Sequence, residues 1–149
     1  MSERDDFLAS TISRQVAAET AIHNGNAAPR TVMWSPKDPV TLFGAERTNT
    51  GWDAVKDTFS WLASRFSDCT SYDLELVAAG ASGDLAYTVG YEHTTATVAG
   101  AVHSYTLRVT HVYRREDGEW KIVHRHGDRV PQDQGSPAEG RDEHGLGRG

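Results

Sequence analysis

Apolar residues recur along this chain with two different periods, and the change of period divides it. Between Gly51 and Phe66 the side chains Trp52, Val55, Phe59, Leu62 and Phe66 are spaced by three and four residues, which predicts a helix with one apolar face. Trp61 lies beside that stripe. Near the N-terminus Leu8, Ile12 and Val16 repeat every four residues and predict another helix. Asp5 or Asp6 can cap its start, and it runs to about Asn24, where Gly25 suits the left-handed residue that closes a helix. Pro29 fits the first turn of a short second helix through Arg30–Trp34. Ser35-Pro36-Lys37-Asp38-Pro39 reads as a turn, and VTLF (40–43) as a short strand.

Beyond Phe66 the period becomes two. Alternation predicts strands at about Tyr72–Ala79, Leu85–Thr94, Ser104–Arg114 and Trp120–Asp128. Ala81-Ser82-Gly83-Asp84 and Glu116-Asp117-Gly118-Glu119 supply hairpin turns. Helices first, then a run of antiparallel strands, argue for an α+β fold rather than a doubly wound parallel sheet. The stretch from Pro131 to Gly149 has one large aliphatic residue, Leu146, and five of the chain's 14 glycines. Too little apolar surface is available there to offset ordering entropy, so residues 131–149 are expected to be a disordered tail and 5–130 one folded domain.

Alternate side chains of a strand share a face. One set holds Tyr87, Val89, Tyr91 and His93, then Tyr105, Leu107, Val109, His111 and Tyr113, then Trp120, Ile122, His124 and His126. The other holds Ala86, Thr88, Gly90 and Glu92, then Thr106, Arg108, Thr110 and Val112, then Lys121, Val123, Arg125 and Gly127. Amphipathicity alone buries the aromatic set. That set is nevertheless rich in Tyr and His, which suit a surface with one dry and one polar end, as in a subunit interface. Both faces therefore read as covered, one by helices and a pocket, the other by a partner sheet.

The phrases DPVTLFG (38–44), GWDAV (51–55) and LRVTHVYRREDGEWKIVHRHGD (107–128) resemble the SnoaL-like branch of the nuclear-transport-factor-2-like superfamily. The likeness covers about Phe7 to Asp128. Its last phrase also resembles the association domain of calcium/calmodulin-dependent kinase II. The resemblance implies a cone-shaped, cystatin-like α+β fold, in which a curved antiparallel sheet packs on three N-terminal helices. It also implies a pocket between the two layers and a homodimer through the outer side of the sheet. Ketosteroid isomerases belong to the same superfamily, but their pocket tyrosine, their aspartate base and their second aspartate match Ala18, Gly44 and Thr110 here. Their mechanism is thus not expected. The same alignment places Thr110, and with it Glu92, Arg108, Val123, Arg125 and Gly127, on the pocket side. This opposes the amphipathic reading, and a β-bulge can reverse either one locally.

Glu92 and Arg108 are then the candidate catalytic pair, a general base and a holder of oxyanions. They also fit a plain structural salt bridge, since buried charges must be paired. Trp34, Trp61, Thr110, Val123, Arg125 and His126 are the candidate ligand-binding residues. His124-Arg125-His126-Gly127-Asp128 fits a metal site or an interface strand, and no third ligand has a fixed spacing, so no metal is expected. Trp52 is expected in the core. The one cysteine, Cys69, excludes a disulfide framework within the chain. No nucleotide-binding or nucleophile-elbow motif occurs, and no cofactor is expected. A formal charge of −6 argues against a nucleic-acid surface. No apolar run is long enough for a membrane helix, and no signal peptide is visible, so the expected location is cytoplasmic. The expected function is binding of a small organic molecule, with cofactor-free lyase, isomerase or hydrolase chemistry as an extension. The alternative is a non-catalytic dimerisation or ligand-sensing module.

Overall fold

A computed structural model describes residues 2–131. The predicted tail lies, from residue 132 on, outside the described residues. Helix α1 spans Glu3–Ile22. Its cap is Ser2, whose Oγ accepts the Asp5 amide at 3.1 Å, rather than Asp5 or Asp6. Those two acids sit in the first turn, where they favour the positive end of the helix dipole. The buried stripe is Phe7, Thr11, Gln15, Ala18, Glu19 and Ile22, while Leu8, Ile12 and Val16 are only half-buried. The polar stripe wins because the interior supplies partners for it: the Tyr113 hydroxyl donates to Gln15 Oε1 at 3.0 Å, and Arg30 pairs with Glu19.

Helix α2 (Ala28–Met33) carries Pro29 in its first turn. Strand β1 (Thr41–Phe43) pairs antiparallel with β2 (Thr48–Thr50), a strand too short to show a period in the sequence. Helix α3 (Trp52–Arg65) starts at Gly51, whose φ of 92° favours glycine, and Asp38 Oδ1 accepts the Trp52 amide at 2.8 Å. Phe66 begins the next strand instead of ending the helix. Four long strands follow: β3 (Phe66–Ser82), β4 (Leu85–Val98), β5 (Ala101–Glu116) and β6 (Glu119–Arg129). The sheet order is β2-β1-β6-β5-β4-β3, antiparallel except where β1 runs parallel to β6. The helices lie on one side of this sheet, giving the expected α+β architecture. Among the described residues no helix is long and apolar enough to cross a membrane.

Neither sequence-derived assignment of faces survives whole. The tight turn between β4 and β5 pairs Val98 with Ala101, so even positions of β4 lie beside odd positions of β5. Ala86, Thr88, Gly90, Glu92 and Thr94 therefore share the helix side with Tyr113, His111, Val109, Leu107 and Tyr105. Tyr87, Val89, Tyr91 and His93 lie outside with Thr106, Arg108, Thr110 and Val112. A register shift between Val112 and Tyr113 inserts a bulge into β6. Trp120 and Ile122 before it face inward, and so do Arg125 and Gly127 after it, while His124 and His126 face outward. Arg108 and Thr110 are thus excluded from the pocket side.

The core fills one end of the space between the layers. Phe7 meets Tyr113 edge-on at 4.9 Å and Trp120 at 5.2 Å, and Trp34 meets Phe59 at 5.2 Å. Met33, Val40, Leu42, Val55 and Ile122 complete the cluster. Where β3 curls over β4, the sheet closes against a glycine: a Cβ at Gly90 would run into the Glu75 carbonyl, beside the register shift between Leu76 and Ala78. Gly90→Ala should therefore destabilise the fold by about 1–3 kcal/mol, the usual cost of overpacking. The expected result in urea is a lower unfolding midpoint with an unchanged slope; an unchanged midpoint would show that β3 yields freely there.

Candidate functional site

At the other end the layers separate into a pocket open to solvent. Ile22, Leu42, Trp61, Leu62, Phe66 and Leu107 form apolar walls. His23, Arg30, Tyr105 and Arg125 bring polar groups into it, and Arg47 and Arg129 also line it. Helix α1 ends at His23 inside the pocket because Gly25, at φ 88°, turns the chain away there.

Two buried guanidiniums dominate the electrostatics. Arg125 retains 5% of its surface and Arg30 4%. Arg125 grips Glu92 with Nη1 to Oε2 at 2.9 Å and Nη2 to Oε1 at 2.8 Å. The Tyr72 hydroxyl donates to the same Oε2 at 2.9 Å. Arg30 holds Glu19 in the same bidentate way through Nε and Nη2, and its guanidinium lies 5.2 Å from the Phe59 ring centre. Both arginines line the pocket and neither carboxylate does, so each cation is braced from behind by its anion. The bonds of Arg30 to Glu19 use Nε and Nη2, leaving the Nη1 donors for a pocket occupant.

Burial alone would raise the Glu92 carboxyl, but the Arg125 charge and its hydrogen bonds, aided by Arg30, hold it well below the usual carboxylate range. Glu92 is therefore an ionised anchor and a poor proton acceptor near neutrality. His111 Nε2 accepts from Arg125 Nη1 at 3.2 Å, and burial with the Arg125 charge keeps this imidazole well below its ordinary value. His23 is also lowered, chiefly by burial. Its Nδ1 donates to the Glu19 carbonyl at 2.7 Å, and its Nε2 accepts from the Tyr105 hydroxyl at 2.6 Å. A carbonyl can only accept, which assigns the proton to Nδ1.

Of the residues singled out from the sequence, Glu92, Arg125 and Trp61 belong to this site. Arg108 is not the partner of Glu92: it points out of the other sheet face and forms a bidentate pair with Asp128 at 2.8 Å. The parity of the β4–β5 hairpin causes that correction. Thr110 lines a shallow groove on the outer face with His126, Arg108 and Asp128, so Thr110 and His126 do not reach the pocket. Trp34 is 1% exposed and belongs to the core, and Val123 packs beside that core at the bulge. Trp61 carries Arg47 at 3.7 Å and Arg65 at 4.7 Å from its ring centre. Trp52 packs against the core as expected. Within the HRHGD run, His124 bonds to Thr41 and His126 lies 3.9 Å from Asp128; among the described residues no group of three His, Cys, Asp or Glu side chains converges as metal ligands would.

Sequence reasoning missed Glu19, His23, Arg30, Tyr72, Tyr105 and His111. One signal was available: Thr11, Gln15 and Glu19 follow Phe7 at four-residue spacing, a polar stripe in line with an apolar start. The others come together only through strand register.

The Glu92–Arg125 pair makes a prediction. Glu92→Ala strands a buried guanidinium and should cost about 3–5 kcal/mol, and Glu92→Leu combined with Arg125→Met should recover much of that loss. Because the folded carboxyl is depressed, its contribution is complete above the unfolded value near 4.5 and is lost as pH falls below it. The neutral histidines act in the same direction from 6.5 downward, since the unfolded chain binds protons that His23 and His111 refuse. Denaturation across pH 3–7 should show a steep acid limb that is shallower in the double variant. Equal limbs in both proteins would remove the pair from the acid response.

The same layout occurs in known structures. A ketosteroid isomerase-like protein from Erwinia carotovora atroseptica superposes with a TM-score of 0.68 at 18% identity, covering 85% of this chain and 98% of that one. A provisionally named dehydratase of the NTF2-like family from Streptomyces avermitilis gives 0.67 at 17%, covering 85% and 98%. A provisionally named calcium/calmodulin-dependent protein kinase II association domain from Xanthomonas campestris gives 0.55 at 18%, covering 80% and 81%. At such identities the likeness concerns the fold. No protein of curated function matches the chain significantly. Residues 15–131 match the SnoaL-like domain, which takes in α1 from Gln15, both other helices and every strand, and the chain belongs to the SnoaL-like family.

Proposed function

We propose that this protein binds a small organic acid in the pocket between sheet and helices. One observation carries the reading: Arg30 and Arg125 present guanidiniums to a pocket with apolar walls, each held in place by a carboxylate lying behind it. Pre-paired arginines do not reorganise when a ligand arrives, and their unused donors take a carboxylate or an adjacent carbonyl oxygen. Leu42, Leu62, Phe66, Leu107 and the Trp61 ring cover the carbon skeleton of such an acid. Arg47 and Arg129 add positive charge at the pocket, where the Glu46 carboxylate is already paired with Arg65, and this draws an anion inward against the chain's formal charge of −6.

The outer sheet face supports self-association. Val77 and Tyr87 are exposed there at 60% and 45%, Val89 and Tyr91 lie beside them, and among the described residues no helix crosses the four long strands on that side. Glu75, Arg108 and Asp128 surround that apolar centre with both signs of charge. A two-fold axis through it places apolar on apolar and lets opposite charges meet at the rim, so the occupant is a second copy. Val109, which faces the helices, takes no part.

The acid reading is tested with phenylacetate against phenylacetamide, nearly equal in shape and different in charge. Phenylacetate should raise the melting temperature and bind at least about tenfold more tightly, the effect of losing one charge-assisted contact. Equal binding of the two would remove the arginines from recognition. For self-association, light scattering should give twice 16.3 kDa at micromolar concentration, and Tyr87→Glu should halve it. A wild-type mass of 16.3 kDa would sink the dimer.

A further inference from the structure

The resemblance sets the isomerases' acid and base groups against Ala18, Gly44 and Thr110, none of which titrates. Ala18 is buried in α1, and Thr110 is on the wrong face of the sheet. Yet a different titratable pair does line the pocket. His23 and Tyr105 are 82 residues apart in the chain and 2.6 Å apart in space. The imidazole is fixed from two sides, by the Glu19 carbonyl on Nδ1 and by the edge of Phe66, 4.6 Å away between ring centres. Its Nε2 lone pair is committed to the Tyr105 hydroxyl. The phenol oxygen donates its one proton to His23, and with Thr94 on one side of that oxygen a remaining lone pair is left for a pocket occupant.

We propose that Tyr105 and His23 form a proton relay, with Tyr105 as the catalytic residue and His23 as the positioning residue behind it, and that they act on a 2-oxo acid with an apolar β-substituent held at Arg30 and Arg125. This rests on the organic-acid reading of the pocket. The carboxylate and the keto oxygen take the guanidinium donors, and the apolar walls cover the substituent. In the step, a C–H bond on the carbon next to the ketone breaks. Its proton passes to the Tyr105 oxygen while the phenolic proton passes to His23 Nε2. The electron pair left on carbon forms the C=C bond of an enolate, whose charge rests on the former keto oxygen beside the arginines. The proton returns by the same route, to oxygen to give the enol or to carbon to restore the ketone. Nothing is oxidised or reduced.

Burial keeps His23 neutral and ready to receive a proton, and once the imidazolium forms the Glu19 charge and carbonyl and the Glu92 charge favour it against the opposing charge of Arg30. Burial, with the same two charges, pushes the Tyr105 phenol above its ordinary value. A standing phenolate is therefore excluded, and the hydroxyl can accept a proton only as it gives one up. Fixed positive donors at the place where enolate charge develops stabilise the transition state more than the ketone. Acid–base groups positioned this way contribute typically 10²–10⁴-fold.

The test uses the whole chain and phenylpyruvate in deuterium oxide, following loss of the C3 proton signal by NMR. Wild type should accelerate exchange over buffer, and Tyr105→Phe, which removes one oxygen and keeps the ring, should lower the rate by about 10²-fold. His23→Gln should lower it similarly. In both variants phenylacetate should still raise the melting temperature, so that loss of exchange is not loss of the fold or of the binding site. If phenylacetate binds but wild type does not accelerate exchange, or if Tyr105→Phe exchanges as fast as wild type, the relay is overturned and the acid pocket stands. If neither acid binds, the pocket reading falls and the relay with it.

Discussion

The ion pair between Glu92 and Arg125 is the constraint on which the interior depends. Each side chain is almost wholly withdrawn from water. Neither charge is tolerable there alone, and together they are satisfied only because β4 and β6 flank β5 and both residues point inward. Tyr72 from β3 and His111 from β5 complete the set. All four long strands thus contribute to one polar layer, which fixes their relative register as strictly as the hydrophobic core does. Such a layer excludes alternatives in which a strand slips by one residue, since that slip would send a charge outward and leave its partner stranded.

Helix α1 applies the same logic from the other layer. Its inward stripe runs from Phe7, in the aromatic cluster, through Gln15 on the Tyr113 hydroxyl, to Glu19 on Arg30 and His23 on Tyr105. The helix therefore passes from a dry end to a polar end, and the pocket opens where that passage finishes. Core and site are one gradient along one helix. The same contact that anchors α2, Arg30 to Glu19, aims a guanidinium into the pocket, so stability and recognition cannot be altered independently at that position.

Much of the architecture was legible in the chain. Period three-to-four over 52–65 and period two after residue 66 are local properties that the backbone reads without help, and Gly25, Pro29, Gly83 and Gly118 mark ends and turns by their own conformational limits. Glu92 and Arg125 were placed inward by the family resemblance, whereas alternation alone put them on the wet face. The partner of Glu92 was not legible, because Arg108 and Arg125 are both reachable from β4 in sequence terms. Tyr105 and His23 carried no local signal at all, being ordinary residues until 82 positions of chain bring them into contact.

The sequence by itself therefore determined most of the elements, their order and the α+β class, which follow from spacing along the chain, and three of its phrases carried the family resemblance. Only the tertiary structure decided which side of each strand is inside. A strand records alternation but not its sign. That sign is set by the turn that pairs Val98 with Ala101 and by the extra residue that β6 takes up opposite Val112 and Tyr113. Shifting the register by one residue exchanges every side chain between the two faces. One hairpin and one bulge therefore sent Arg108 to the outer groove and Arg125 to the pocket.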